Sequence, residues 1–418
     1  MLPSKSGSLS QSSQLRVFLV APADPGNLGD EAMMFGALYL FGKNQITIVN
    51  DSEKSPWQTR LMASPHAAKI RAELTETLLA KNSTLGQCDL VFIVGADLID
   101  GTCGDVPSLN RLTFAEQAIK RGSKVIITCS FRHDVIPPIL HQLRELRGAE
   151  FWLRDELSLD NFEKRVGLPA RRVPDLSFYY DPEISPAGGA QLPSPNKARA
   201  PLIALNLSEQ SFRSFFDVHT DANRKDYADH VVEQVSIHMP KAHYLLLSND
   251  NRFWPNHPSD DAYVEFLRDA LCVRLGPKTV IHTNNHHDYG ENIRALAQAD
   301  LLVTGRMHLA LAAIRSNCKP LVLMGRTKGY TSYDKMRGML LDTLNDHSGI
   351  VQEIGQLAPA VAAALRSKKA YQSKSAKAFE ARQLRLKTFE DQVTSELQLL
   401  ASNRTQPSVF ARLSEHFF

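Results

Sequence analysis

The chain has 418 residues, 43% hydrophobic and 22% charged, with a formal net charge of +3, which suits a globular protein long enough for two domains with full cores. The small net charge, with no basic block interleaved with aromatics, argues against nucleic acid as a partner, and no apolar run is long enough to span a bilayer. The five cysteines, Cys88, Cys103, Cys129, Cys272 and Cys318, form no paired CxxC pattern and point to reduced thiols in a cytoplasmic protein, so that any membrane contact is expected to be peripheral, at the inner membrane face.

Met1 to Gln14 is rich in serine and lacks an apolar core, so residues 1–14 read as a disordered arm rather than a signal peptide. Strands are then expected at Val17–Ala21, Ile46–Val49, Leu90–Val94, Val125–Thr128 and Phe151–Leu153. Helices are expected over Glu31–Phe41, Ala67–Ala80, Leu109–Arg121, Ile136–Leu146 and Glu156–Val166. This alternation predicts a parallel sheet with helices on both faces, the first domain occupying residues 15–180.

The segment 181–201 holds five prolines and Gly188-Gly189, and reads as a linker. A second alternation covers 202–345. Its strands are expected at Ile203–Leu207, Tyr244–Leu247, Val280–His282, Leu301–Val303 and Leu321–Met324, with helices near 223–239, 260–272, 290–298 and 308–316. Residues 346–418 read as a helical extension packed across both domains, its basic face turned to solvent; a membrane-facing basic face is the alternative. The expected architecture is α/β, two doubly wound domains facing each other across a cleft, with ligands at the carboxyl ends of the strands.

Several strand ends carry chemistry. Pro25-Gly26-Asn27-Leu28-Gly29-Asp30-Glu31 follows the first strand and opens a helix, without the Lys-Ser/Thr of a phosphate loop. Asp30 and Glu31 would repel a bare phosphate, so a hydroxyl-bearing ligand suits this turn; a plain glycine turn capped by Asn27 or Asp30 is the alternative. Asp97 and Asp100 follow the strand from Leu90, where carboxylates orient hydroxyls or act as a base, or simply close a turn. Arg132 and His133 follow the next strand, as candidates for holding an anion or shuttling a proton. Arg154 precedes Asp155-Glu156, either as an anion clamp or as a partner of a carboxylate beside a capped helix start. His282 and His286-His287-Asp288 carry metal-ligand types, but their spacing fits a polar cleft rim better than a zinc site.

The most informative stretch is Thr304-Gly305-Arg306-Met307-His308, where a buried strand meets a helix start. Free backbone N–H groups and the helix dipole suit an anion there. Arg306 adds a planar fork, and His308 a group that gives or takes a proton near neutral pH. A buried ion pair for Arg306 and a core or capping role for His308 are the alternatives. Lys328, Tyr330, Tyr333, Asp334 and Lys335 follow the last expected strand and are placed to close over a ligand.

The ordered set from about residue 16 to 340 resembles the polysaccharide pyruvyl transferase family. The resemblance rests on Gly26-Asn27-Leu28-Gly29-Asp30-Glu31 and on Ala299 through His308, followed by Lys319-Pro320-Leu321-Val322. Arg154-Asp155-Glu156-Leu157-Ser158, Pro174-Asp175, and Tyr333-Asp334-Lys335 with Gly338 are similar to its middle and closing segments. It implies a glycosyltransferase-B-like fold of two Rossmann-like domains. It also implies transfer of pyruvate from phosphoenolpyruvate to saccharide hydroxyls, often as a cyclic ketal, in cell-surface or exopolysaccharide synthesis.

On that reading phosphoenolpyruvate is a co-substrate, with no cofactor and no metal. The family's Arg-x-His pair maps onto Arg306 and His308 as the donor and catalytic site. Gly305, and a second cation from Arg154, Arg132 or Lys328, would complete the donor side. Asn27, Gly29, Asp30, Glu31, Asp97, Arg132 and His133 would face a saccharide or lipid-linked oligosaccharide acceptor, with Asp30, Glu31 or Asp97 as base. The chain departs from the family at Pro22 to Pro25, Gly95-Ala96-Asp97 and Ser130 to His133, all on the acceptor side. The rival expectations are a nucleotide-sugar-dependent glycosyltransferase and a catalytically silent carbohydrate-binding relative.

Overall fold

The computed structural model describes residues 14–22, 25–49, 57, 59, 61, 72–74, 88–95, 97, 99–102, 104–184, 200–252, 257–276, 279–284, 287–325 and 332–405. The expected arm apart from Gln14, most of the expected linker, Cys103, His286, Lys328 and Tyr330 lie outside these residues.

The first domain is built on a parallel sheet of seven strands in the order β3-β2-β1-β4-β5-β6-β7. They are β1 (Arg16–Val20), β2 (Gln45–Val49), β3 (Ala72–Leu74), β4 (Leu90–Ile93), β5 (Lys124–Cys129), β6 (Ala149–Leu153) and β7 (Ala170–Arg172). Its helices are α1 (Leu28–Phe41), α2 (Asp105–Lys120), α3 (Pro137–Glu145) and α4 (Glu156–Val166). One apolar cluster packs Ile93, Ile127 and Leu153 with Phe162 and Leu143, and another packs Leu19, Phe92 and Trp152 with Met33 and Phe41. The sheet is therefore covered on both faces, as parallel sheets require.

The helix expected over Ala67–Ala80 is corrected at Ala72–Leu74, and residues 67–71 and 75–80 lie outside the described residues. Ala72–Leu74 is an edge strand in register with Ile46–Ile48 of β2. Ala, Glu and Leu favour helices locally, but pairing to an open sheet edge outweighs that preference.

The second sheet has six parallel strands in the order β10-β9-β8-β11-β12-β13. They are β8 (Leu202–Asn206), β9 (His243–Leu247), β10 (Ile281–Asn284), β11 (Leu301–Thr304), β12 (Lys319–Leu323) and β13 (Ile350–Val351). Around them lie α5 (Glu209–Arg213), α6 (Asp221–Ser236), α7 (Asp260–Leu275), α8 (Tyr289–Leu296), α9 (Met307–Arg315), α10 (Ser332–Leu344), α11 (Leu357–Arg366) and α12 (Lys368–Thr405). The second domain reaches beyond the boundary expected at 345. β13 pairs with Val322 and Leu323, and Leu357 and Val361 of α11 enter the core with Leu205 and Val303. Two apolar residues are too short a run to read as a strand until a neighbouring edge offers pairing.

Two features join the halves. Helix α1 is buried on nearly every side, because its Leu28 and Ala32 pack with Leu309, Ala312 and Ala313 of α9. Helix α12 runs back to the first domain, where Phe389 and Val393 join the cluster around Trp152, and Glu396 pairs with Arg171 at 2.8 Å. In each sheet the strand order reverses beside the first strand, between β1 and β4 and between β8 and β11. Ligands gather at such reversals, outside the carboxyl ends of the strands.

Candidate functional site

Where the two reversal points face each other, the chain places two helix N-termini in contact. On the first-domain side, Asn27 caps α1, its Oδ1 accepting from the N–H groups of Gly29 (3.0 Å) and Asp30 (3.3 Å). Leu28 N–H donates across the cleft to Asn249 O at 2.8 Å, and Asn251 N–H donates to Gly26 O at 2.9 Å. On the second-domain side, β11 ends at Thr304, Arg306 occupies the N-cap position of α9, and His308 lies in its first turn. Among the described residues no side chain caps α9, so its first N–H groups can serve a ligand or water.

Gly29 is the point of contact. A Cβ built there would fall 2.1 Å from His308 Nδ1, so only glycine lets α1 and the imidazole meet. The other ring nitrogen, Nε2, lies 3.7 Å from Asp175 Oδ2 and has no hydrogen-bond partner among the described residues. Asp175 caps a tight helical turn, Leu176–Tyr179, that packs on α1 at Gly36, where a Cβ would meet Leu176 O at 2.0 Å. Burial alone would raise the Asp175 carboxyl. His308, then Arg154 and Ser177, more than offset it and hold the group well below the usual carboxylate range.

The cations of the cleft alternate with carboxylates. Arg306 donates to Asp260 through Nε (3.1 Å) and Nη2 (2.6 Å), and its Nη1 lies 3.4 Å from Asp250. Arg252 donates to both oxygens of Asp250 (2.9 and 2.8 Å) and lies 3.6 Å from Asp30. Arg154 pairs with Asp175 at 3.0 Å and with Asp97 at 3.4 Å, and donates to Ser130 Oγ at 3.0 Å. Lys335 pairs with the other oxygen of Asp97. Burial raises the Asp30 carboxyl, and Arg252 and His308 only partly oppose it. Burial would also raise Asp97, but Lys335, Arg154 and Arg132 bring it below its ordinary value.

The structure thus brings together Asn27, Gly29, Asp30, Arg306 and His308, with Asp97 and Arg154 linked to them through Asp175. Gly305 lies between, its carbonyl accepting from Ser208 Oγ at 3.3 Å. Arg306 and Arg154 both hold buried carboxylates of the protein itself, so an anionic ligand must share or displace those partners. Glu31 braces the turn, its Oε1 accepting from Gly26 N–H at 2.9 Å. Arg132 and His133 lie at a side pocket shared with Asp97 and Lys335. There Arg132 donates to Asp100 at 3.3 Å, and the exposed His133 lies 3.7 Å from Asp334.

Sequence reading did not single out Asp175, Asp250, Arg252 or Asp260 as site residues. The stretch Asn249 to Arg252 directly follows β9 at the same sheet edge, which is the signal that pointed to it. Cys129 is fully buried, and burial pushes its thiol well up, so it is no nucleophile at neutral pH. Among the described residues no cluster of three or more His, Cys, Asp or Glu is placed to hold a metal ion, and no helix is long and apolar enough to cross a membrane.

Solved structures share the architecture. Alr3699/HepE from Anabaena, in complex with UDP and glucose, is similar at a TM-score of 0.55 and 11% identity, over 92% of this chain and 99% of that one. A UDP-glucosyltransferase from Polygonum tinctorium is similar at a TM-score of 0.54 and 11% identity, over 93% and 99%. UDP-GlcNAc 2-epimerase from Neisseria meningitidis is similar at a TM-score of 0.51 and 9% identity, over 86% and 94%. At these identities the likeness establishes the fold, glycosyltransferase-B-like, and nothing of the substrate. A search of curated protein sequences found no match. The model of the family described as polysaccharide pyruvyl transferase matches residues 27–324, and the chain belongs to that family.

Proposed function

We propose that the protein transfers pyruvate from phosphoenolpyruvate to hydroxyls of a saccharide, free or lipid-linked, in cell-surface or exopolysaccharide synthesis at the cytoplasmic side. The observation that carries this reading is His308, set in the first turn of an uncapped helix, backed by Asp175 and pressed against the acidic end of α1.

The donor carries a carboxylate and a phosphate. The open N–H groups of α9 and the forks of Arg306 and Arg252 offer donors for both. Asp175, 3.7 Å from Nε2, sets a negative charge beside the His308 ring, while Nδ1 packs against Gly29. His308 delivers a proton to the methylene carbon, which becomes the methyl group. Cationic character develops at the adjacent carbon, and a sugar hydroxyl adds there while Asp30, raised by burial, takes the hydroxyl proton. Phosphate leaves as the C–O bond to it breaks, and a second hydroxyl of the same sugar closes the ketal, its proton passing to the departing phosphate.

The test is phosphate release from phosphoenolpyruvate in the presence of acceptor glycans, with the pyruvylated product identified by mass. Release that depends on acceptor supports the reading; no release with any glycan overturns it. A nucleotide-sugar-dependent transfer is the rival reading on the same fold. Titration with a nucleoside diphosphate against phosphoenolpyruvate separates the two.

A further inference from the structure

Helix α12 encloses a second cavity, on the far side of the segment that carries Asp175. Its volume is about 330 Å³, within the range of small-molecule sites. Arg172, Phe178, Asp342, Arg382, Arg385 and Phe389 line it, drawn from the first domain, α10 and α12.

Two guanidinium groups pair there with one half-buried carboxylate, and a third lies beside them. Arg172 lies 3.3 Å from Asp342, and Arg385 lies 3.5 Å from it while donating to its backbone carbonyl at 3.0 Å. Glu156 balances Arg172 at 2.6 Å but stands at the surface. Arg382 is only 3% exposed. It donates to Thr343 O at 3.2 Å, and its guanidinium carbon stacks 4.6 Å over Phe178. Its Nε is buried and reaches no acceptor among the described residues. Burial, then repulsion from Arg385, holds the Arg382 guanidinium down at about 10. Arg172, Arg382 and Arg385 outnumber Asp342 in this lining, and an anion in the cavity would offset that excess positive charge.

We propose that this cavity binds a small phosphorylated molecule. Arg382 and Arg385 hold the phosphate, and its organic part lies against Phe178 and Phe389. A phosphate suits the cavity because planar forks engage its oxygens in pairs, and its second charge offsets what Asp342 leaves uncompensated. The wall that would clamp the ligand is Arg172 to Phe178, and Asp175 stands in the middle of it. Occupancy therefore stiffens the mount of the carboxylate behind His308. Binding itself does not depend on the pyruvyl-transfer reading.

Calorimetric titration of the full chain with phenyl phosphate, inorganic phosphate and phenol tests this. Phenyl phosphate is expected to bind, more tightly than inorganic phosphate, with phenol silent. Arg385→Gln, at a partly exposed side chain, is expected to weaken it about tenfold or more. Arg382→Gln should do the same where it folds, and Arg252→Gln, in the cleft, should leave this binding unchanged. No binding of phenyl phosphate, or binding that survives Arg385→Gln but is lost in Arg252→Gln, overturns the proposal.

Discussion

The two helix N-termini that meet at Gly29 and His308 are built in opposite ways. Helix α1 has its cap filled by Asn27, carries Asp30 and Glu31 in its first turn, and lacks any cation of its own there. Helix α9 has no side-chain cap among the described residues, begins at an arginine and carries a histidine. The dipole of each favours negative charge. In α1 that preference is already met by the protein, whereas in α9 it is left open. The contrast divides the proposed labour of the cleft: the anionic donor on the α9 side, the neutral hydroxyls of the acceptor on the α1 side.

The largest expected effect breaks the α9 side. His308→Ala should lower turnover about 10²–10⁴-fold with little change in donor KM. Steady-state kinetics that show a raised KM with turnover intact would make His308 a binding group and remove the proton from the contrast.

Asp175→Asn comes next. It leaves Arg154 buried with half its partners, and unfolding in denaturant should show a loss of about 3–5 kcal/mol. Because the folded carboxyl is depressed, its stabilisation is present above the ordinary carboxylate range and is lost only as pH falls through the depressed value. The gap between wild type and variant should therefore persist at mildly acid pH. A gap that closes there would contradict the ion pair.

Asp30→Asn probes the α1 side and has the opposite sign. A carboxyl raised by burial contributes stability below its unfolded value of 3.8 and loses it as pH rises through the folded one. The variant should thus melt slightly higher than wild type at neutral pH, with the difference vanishing in acid, while turnover falls. Higher stability with full activity would exclude Asp30 as the base. The smallest effect is Asn27→Ala, which should cost about 1 kcal/mol through the lost cap, read by thermal unfolding.

The elements around the site were largely legible. Val303-Thr304 followed by Arg306 and His308 marks a strand running into a helix, and β11 and α9 are where that pattern puts them. The glycine turn and α1 are equally local. Partners were harder, because they are set by tertiary meeting. Asp260 stands 46 residues from Arg306, and Asp175 stands well before His308 on another domain, so no spacing rule relates them. The same holds for β3 and β13, whose strand character comes from a neighbouring edge and not from their own residues. The buried ion pair, one of two roles open to Arg306 from its type alone, is present.

The interleaving of Arg154, Arg252, Arg306 and Lys335 with Asp30, Asp97, Asp175, Asp250 and Asp260 has a kinetic consequence. Seen from beyond a Debye length, these opposite charges largely cancel, and the cleft projects little field into the surrounding water. On the proposed function, a dianionic donor would not be drawn in from afar but recognised on arrival, its oxygens exchanging places with carboxylates already at the forks. Selectivity then resides in that exchange at contact, and encounter proceeds at the pace of unassisted diffusion, largely indifferent to ionic strength.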